Sequence, residues 1–173
     1  MSGLELGSLR RFFNNIYTKL RTSEELMRLL HYPPENYSKK YPDPLDKSLP
    51  DLVDDSEKYW DLVEKLIITG TKSTDIEEKG ICRLYIYPGR RRPRWGNFLI
   101  ADQEVVIDIL VHESYNKDMR MEWLIDTISK LIVLERVAGY GQLELTGGNP
   151  RPQGAAIGYS KYELVFSFGE NKK

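Results

Sequence analysis

Gln103-Glu104-Val105-Val106-Ile107-Asp108-Ile109-Leu110-Val111-His112 is the stretch on which the fold turns. Val105, Ile107, Ile109 and Val111 alternate with Glu104, Val106, Asp108, Leu110 and His112. A period of two sends successive side chains to opposite faces of a strand, one face buried and the other wetter. Upstream, Ile81 to Tyr87 repeats the pattern, with Cys82, Leu84 and Ile86 on one face. Downstream, Asp118 to about Val137 reads as a helix with an apolar stripe of Met121, Leu124, Ile125, Ile128, Leu131 and Ile132. Asp118 fits its N-cap and Gly139 its stop. Two more strands follow, Gln142 to Thr146 and Ser160 to Phe168, the latter with Tyr162, Leu164, Phe166 and Phe168 sharing a face. The order β-β-α-β-β predicts an α+β fold, a mainly antiparallel sheet covered on one face by helices.

Ahead of this core the periodicity is helical. Leu9, Phe12, Phe13, Ile16, Tyr17 and Leu20 form one apolar stripe. Thr22-Ser23-Glu24-Glu25 reads as a capping box opening a second helix, which Pro33-Pro34 stops. Ser56 to Ile68 reads as a third helix, carrying Tyr59, Trp60, Val63, Leu66 and Ile67. The organisation expected is a single domain over 1–173. Helices occupy 1–32, an extended proline-rich segment 33–55, and a helix with the β-β-α-β-β core 56–173. The segment 33–55 is either a strap across the surface or a piece that orders against a neighbouring subunit, since long structureless connections usually have a job.

Two stretches read as long hairpin loops. The first, Tyr85 to Asn97, holds Arg90, Arg91, Arg92 and Arg94 beside Trp95, punctuated by Pro88, Gly89, Pro93 and Gly96. The second, Gly147 to Gly154, holds Asn149, Arg151 and Gln153 among three glycines and two prolines. A compact monomer needs neither loop, so both are candidate contacts with other chains. The arginine cluster has three readings. It is a solvated tip, a protein contact through Arg–carboxylate pairs, or a nucleic-acid contact with Trp95 stacking on a base.

The 173 residues carry a formal net charge of -1, with 40% hydrophobic and 29% charged residues. That composition is globular and excludes a bulk nucleic-acid binder, leaving only local patches for electrostatic partners. Cys82 is the only cysteine, so an internal disulfide is impossible and a reducing cytoplasm is the expected folding compartment. No signal peptide or membrane span is expected from the pattern. His31 sits at a helix end, where the dipole favours it, and His112 ends a strand. Glu104, Asp108 and His112 share a strand face, but residues four apart on a strand are about 13 Å apart and cannot share one ion. Neither metal nor cofactor is expected, and no catalytic motif is recognisable.

Further signals come from Ser23-Glu24-Glu25-Leu26-Met27-Arg28-Leu29-Leu30-His31-Tyr32-Pro33-Pro34, Asp43-Pro44-Leu45-Asp46, Cys82 to Arg91, and Ala101-Asp102-Gln103-Glu104-Val105. In this pattern the chain resembles small neck and tail-completion proteins of tailed phages infecting Gram-positive bacteria, particularly the tail terminators. The resemblance implies a structural virion protein without catalytic residues. It implies a ring, usually of about six copies, that caps the tail tube and meets the head connector or head-closure protein. DNA would be met only in transit through the lumen. Assembly would take place in the host cytoplasm. The long proline-rich segment exceeds what the simplest tail terminators need, which keeps a head-closure or adaptor subunit open as an alternative. A nucleic-acid-binding protein using the Arg90–Arg94 stretch is the other alternative, and a small enzyme with an unrecognised site a third.

Overall fold

A computed structural model of the chain describes residues 8–34, 43–54, 56–71, 80–95, 97–136, 142–152 and 155–170. The elements are α1 (Ser8–Arg21), α2 (Glu24–His31), α3 (Glu57–Leu66), β1 (Ile67–Thr69), β2 (Cys82–Arg94), β3 (Asn97–His112), α4 (Arg120–Ile132), β4 (Glu144–Pro150) and β5 (Tyr159–Glu170). Single 3-10 turns stand at Asp43–Leu45 and Asn116–Asp118. The sheet order is β1-β2-β3-β5-β4. Among the described residues only the β1–β2 pairing is parallel. The α+β architecture is therefore the one the alternation implied. After β3 the chain crosses through α4 to the far edge, lays down β4, and returns as β5 between β4 and β3.

All four helices feed one core against one sheet face. Phe12, Ile16 and Leu20 of α1 and Leu26, Met27, Leu29 and Leu30 of α2 join Leu124, Ile128 and Ile132 of α4. Opposite them stand Leu84, Ile86, Val105, Ile107, Ile109, Val111, Leu164 and Phe166, all buried. Phe12 meets Phe168 edge-on, ring centroids 5.5 Å apart at 83°. Each fully buried aliphatic side chain of this kind contributes roughly 1.5–3 kcal/mol. Of the expected stripe, Met121, Leu124, Ile128 and Ile132 are buried, while Ile125 and Leu131 are only half-buried.

Several local expectations are corrected. Ser23, not Thr22, caps α2, accepting from the Leu26 N–H at 3.3 Å, while the Thr22 hydroxyl donates back to the Thr18 carbonyl. The helix of the core starts at Arg120 after a left-handed Met119 (φ 60), so Asp118 is not its N-cap. Asp118 lies in the preceding 3-10 turn and binds Arg120 instead. That helix ends at Ile132, and the proposed stop Gly139 lies outside the described residues. The third helix ends at Leu66, because Ile67 leaves helical geometry (φ -126) while its N–H still reaches Val63. Ile67–Thr69 then pairs with Leu84–Ile86. Its two isoleucines continued the helical spacing in sequence, and three residues are too few to show a period of two. His31 ends α2 as expected, but burial and the nearby Lys65 push its imidazole below its ordinary value, against the preference of the helix dipole.

The proline-rich segment is a strap where it is described. Arg28 of α2, buried, gathers residues 43–54 with one guanidinium. Its Nη1 donates to the Asp46 carbonyl at 2.8 Å, and its Nη2 to the Leu49 carbonyl at 2.9 Å and to Asp51 at 2.6 Å. Its Nε holds Glu24 at 2.7 Å, and the Glu24 carboxylate accepts from the Leu52 and Val53 N–H groups. Residues 35–42 and 55 lie outside the described residues. Replacing Arg28 with Ala strands two carbonyls and a carboxylate, and the loss expected in urea unfolding is about 2–4 kcal/mol, Asp51 being too exposed to add much. Limited proteolysis should then cut within 46–51. An unchanged digestion pattern would show the strap to be held by other contacts.

Candidate assembly interface

The arginine stretch is not a loop. β2 continues through it to Arg94, paired with β3 as far as Arg94–Asn97, so the connection is only Trp95 and Gly96. The prolines misled the reading because they sit where a ladder needs no donor. Gly70 N–H donates to the Ile86 carbonyl, so Ile86 faces the β1 side and alternation turns Pro88 to the same outer margin. Among the described residues that margin has no strand partner past Ile86. Between Pro88 and Arg91 the register slips by one residue. This bulge resets the alternation so that Pro93 also faces the outer margin. Gly89 at the bulge has no room for a side chain, since a Cβ there would lie 2.8 Å from the Glu104 Cβ.

The same slip decides where the arginines go. Arg90 and Arg92 fall on the sheet face that carries Glu104, away from the helices. Arg91 pairs with Gln103 and falls on the helix side. The Arg90 N–H donates to Glu104 Oε2 at 3.0 Å, and Arg92 Nη2 lies 3.6 Å from Glu104 Oε1. A second slip, between Leu145 and Gly147 of β4, brings Asn149 opposite Glu163. Gly147–Pro150 is therefore strand rather than loop. Arg151 donates through Nε and Nη2 to Glu163 Oε1 at 3.2 and 2.7 Å. A polar groove of about 540 Å³ spans the sheet here, with Arg90 and Arg92 at one side and Asn149 and Arg151 at the other. Two regions that sequence alone kept apart thus share one surface. Arg94 stands at the hairpin end, Trp95 at its turn is 99% exposed, and Gln153 lies outside the described residues.

Sequence reasoning missed the middle of this face. Asp108 is buried, accepting from the Tyr87 hydroxyl at 3.0 Å and from Lys161 Nζ at 2.7 Å. Burial and the adjacent Asp108 push the Tyr87 phenol well above its ordinary value. The face was expected either to be hydrated or to meet another subunit. Arg92–Glu104, Lys161–Asp108 and Arg151–Glu163 alternate in sign across it. The opposite-face parity of Glu104 and Asp108 was legible. Their partners on β2 and β5 required the register.

Among the described residues no group of three His, Cys, Asp or Glu side chains is placed to hold a metal. Cys82 is buried and its thiol is pushed far up by that burial, which removes it as a nucleophile. Among the same residues no helix is long and apolar enough to cross a membrane. What the surface offers is paired charges along a polar groove and a hairpin with an indole at its tip.

Comparison with known proteins bears on where such a surface is used. The family model YomW matches residues 23–168, from the cap of α2 to the end of the β5 core. The SPbeta prophage-derived uncharacterized protein YomW of Bacillus subtilis (strain 168) is 30% identical over 156 residues, covering 86% of this chain and 89% of that protein.

Proposed function

The chain belongs to the phage-derived YomW family, and from that premise we propose that it is a structural virion protein, a tail terminator. Copies close a ring that caps the tail tube and joins it to the head connector. The observation that carries this reading is the β2–β3 hairpin. It runs past the Ala101–Glu170 pair and carries Arg94 and the fully exposed Trp95 beyond it, with Arg90, Arg91 and Arg92 on the paired strand just before. An exposed tryptophan gains nothing in a lone monomer and is a common anchor of protein contacts. The arginines suit carboxylates on a neighbouring subunit or on the adjoining ring, because the planar guanidinium can hold a carboxylate with two parallel bonds. Head-closure and adaptor subunits would use the same chemistry, and the position of the labelled protein in purified particles separates them.

The test is reversal of Arg91 and Arg92 to Glu. The exposed Arg92–Glu104 pair is worth about 0–1 kcal/mol, so circular dichroism and melting should change little. Free heads and free tails should accumulate in place of complete particles. Normal particles from the double variant would show the hairpin to be a solvated tip. Duplex DNA binding that fades steeply with salt, together with normal joining, would favour a nucleic-acid role instead.

A further inference from the structure

The register gives the groove on the helix-free face a definite shape. Tyr87, Val106, Val165 and Gly147 stand opposite one another across β2, β3, β5 and β4 and form its floor. A Cβ on Gly147 would lie 3.7 Å from the Val165 Cβ, in open space, so the missing side chain keeps the floor low at that end. One wall rises at Glu104, with Arg90 and Arg92. The other rises at the Asp108–Glu163 pair, with Arg151 over Glu163. Four residues along β3 set the two walls about 13 Å apart. An α-helix with its side chains is about 10–12 Å across, so the crest of a helix fits between them.

The lining is basic. Arg90, Arg92 and Arg151 stand against Glu104 and Glu163, one cation in excess. Glu163 holds Arg151 at 2.7 Å, but Arg92, 64% exposed, reaches Glu104 only at 3.6 Å. The Arg90 guanidinium makes no ion pair among the described residues. Arg90 and Arg92 are therefore the two cations with charge to offer, roughly 7 Å apart on one strand face.

The acidic counterpart lies on α3. Tyr59, Val63 and Leu66 turn inward. At 3.6 residues per turn, the exposed Glu57, Asp61 and Glu64 fall opposite them along the solvent crest, with Lys58 and Lys65 to one side. None of these three carboxylates makes an ion pair among the described residues. Like charges three and four apart repel along a helix, so a cationic partner relieves a repulsion that the lone chain carries. Their spacing, about 4.5–6 Å along the axis, is close to that of the two arginines. Because α3 feeds the core on the other sheet face, a chain does not fill its own groove. Complementary surfaces on opposite faces of one sheet make a head-to-tail contact rather than a two-fold one, and such a contact closes into a ring when the rotation allows.

We propose that α3 of one copy lies in the cross-strand groove of the next, with Glu57, Asp61 and Glu64 facing Arg90 and Arg92. The proposal deepens the ring reading and rests on it. The occupant of the groove is a second copy of this chain.

Charge exchange tests it by sedimentation velocity of the full chain at low salt, across a concentration series. R90E with R92E reverses the groove. D61K with E64K reverses the crest; Glu57 is kept, since a carboxylate in the first turn favours the helix. A third chain carries all four changes. Circular dichroism and melting check the fold of each, and R90Q with R92Q replaces the groove reversal if the crowded glutamates lower its melting. The wild-type chain should associate as concentration rises, less so with added salt. Either reversal alone should weaken association more than about tenfold. The chain with all four changes should regain most of it, because an acidic groove then meets a basic crest. A wild-type chain that stays monomeric, a single reversal that associates like wild type, or a fourfold variant that regains nothing each overturns the contact. Loss of complete particles with self-association intact assigns the groove to the adjoining ring and overturns it too. Copies per purified particle are counted separately. Several copies per particle, with particles of the D61K and E64K chain assembling normally, discards this contact and keeps the ring. A single copy per particle discards the ring itself.

Discussion

Arg120→Ala is expected to lower unfolding stability by about 3–5 kcal/mol. Arg120 is fully buried, under helix α2 and beside the turn that opens α4. Its Nη1 donates to the Leu29 carbonyl and, at 2.8 Å, to the carbonyl of Tyr32, the C-cap of α2. Its Nη2 holds Asp118 at 2.8 Å, and its guanidinium lies 5.5 Å from the centre of the Tyr115 ring. One cation therefore closes the C-terminal end of α2, where the dipole is negative, and neutralises the adjacent buried carboxylate. Removing it leaves Asp118 and two carbonyls buried without their donor, and such groups cost the full desolvation penalty. Arg120→Lys should recover part of the loss, because an ammonium keeps the charge but lacks the fork that spans all three acceptors. Urea unfolding of the two variants checks this. Equal midpoints for wild type and alanine would mean that water replaces the guanidinium without penalty.

Ile128→Ala should cost roughly 2–5 kcal/mol, from lost transfer energy and the cavity it opens. Ile128 has no exposed surface, in the middle of α4 where the helix packs against α1, α2 and the sheet. Leu124 and Ile132, one turn away on either side, are also buried, so the neighbours have little room to relax into the gap. Thermal melting of the variant measures the loss. The same change at Leu131, which is half-buried, should cost visibly less, and an equal cost at both positions would contradict the observed facing of the helix.

The sheet and its covering helices were legible because period two and period 3.6 are strong signals over ten residues or more. Val105 to Val111 bury the face that their spacing announced, and so do Met121, Leu124, Ile128 and Ile132 of the helical stripe, with Ile125 and Leu131 half-buried at its edge. β1 was illegible, since Ile67–Thr69 is too short to show its own period and gains its order from β2. The extent of β2 was illegible for a different reason. Pro88, Gly89 and Pro93 are loop residues by intrinsic preference, and only the pairing shows that the two prolines occupy undemanding positions of a strand. The arginines were found by composition alone. That Arg90, Arg92, Asn149 and Arg151 share a groove depends on two register slips, which no local pattern announces. The Arg120 and Arg28 hubs were invisible because each closes on two backbone carbonyls, which every sequence possesses.

The two prolines on the outer margin of β2 also bear on how the chain behaves in a crowded pool. A bare strand margin ordinarily templates another strand, and stacking of that kind grows into fibrils. Here the ring nitrogens of Pro88 and Pro93 present no hydrogen to a newcomer, and the bulge between them twists the margin away from a flat approach. Growth of cross-β aggregates is thus blocked from this side of the sheet. The same margin stays open to contacts made through side chains, so protection from fibrils and recognition of a partner are built from one strand.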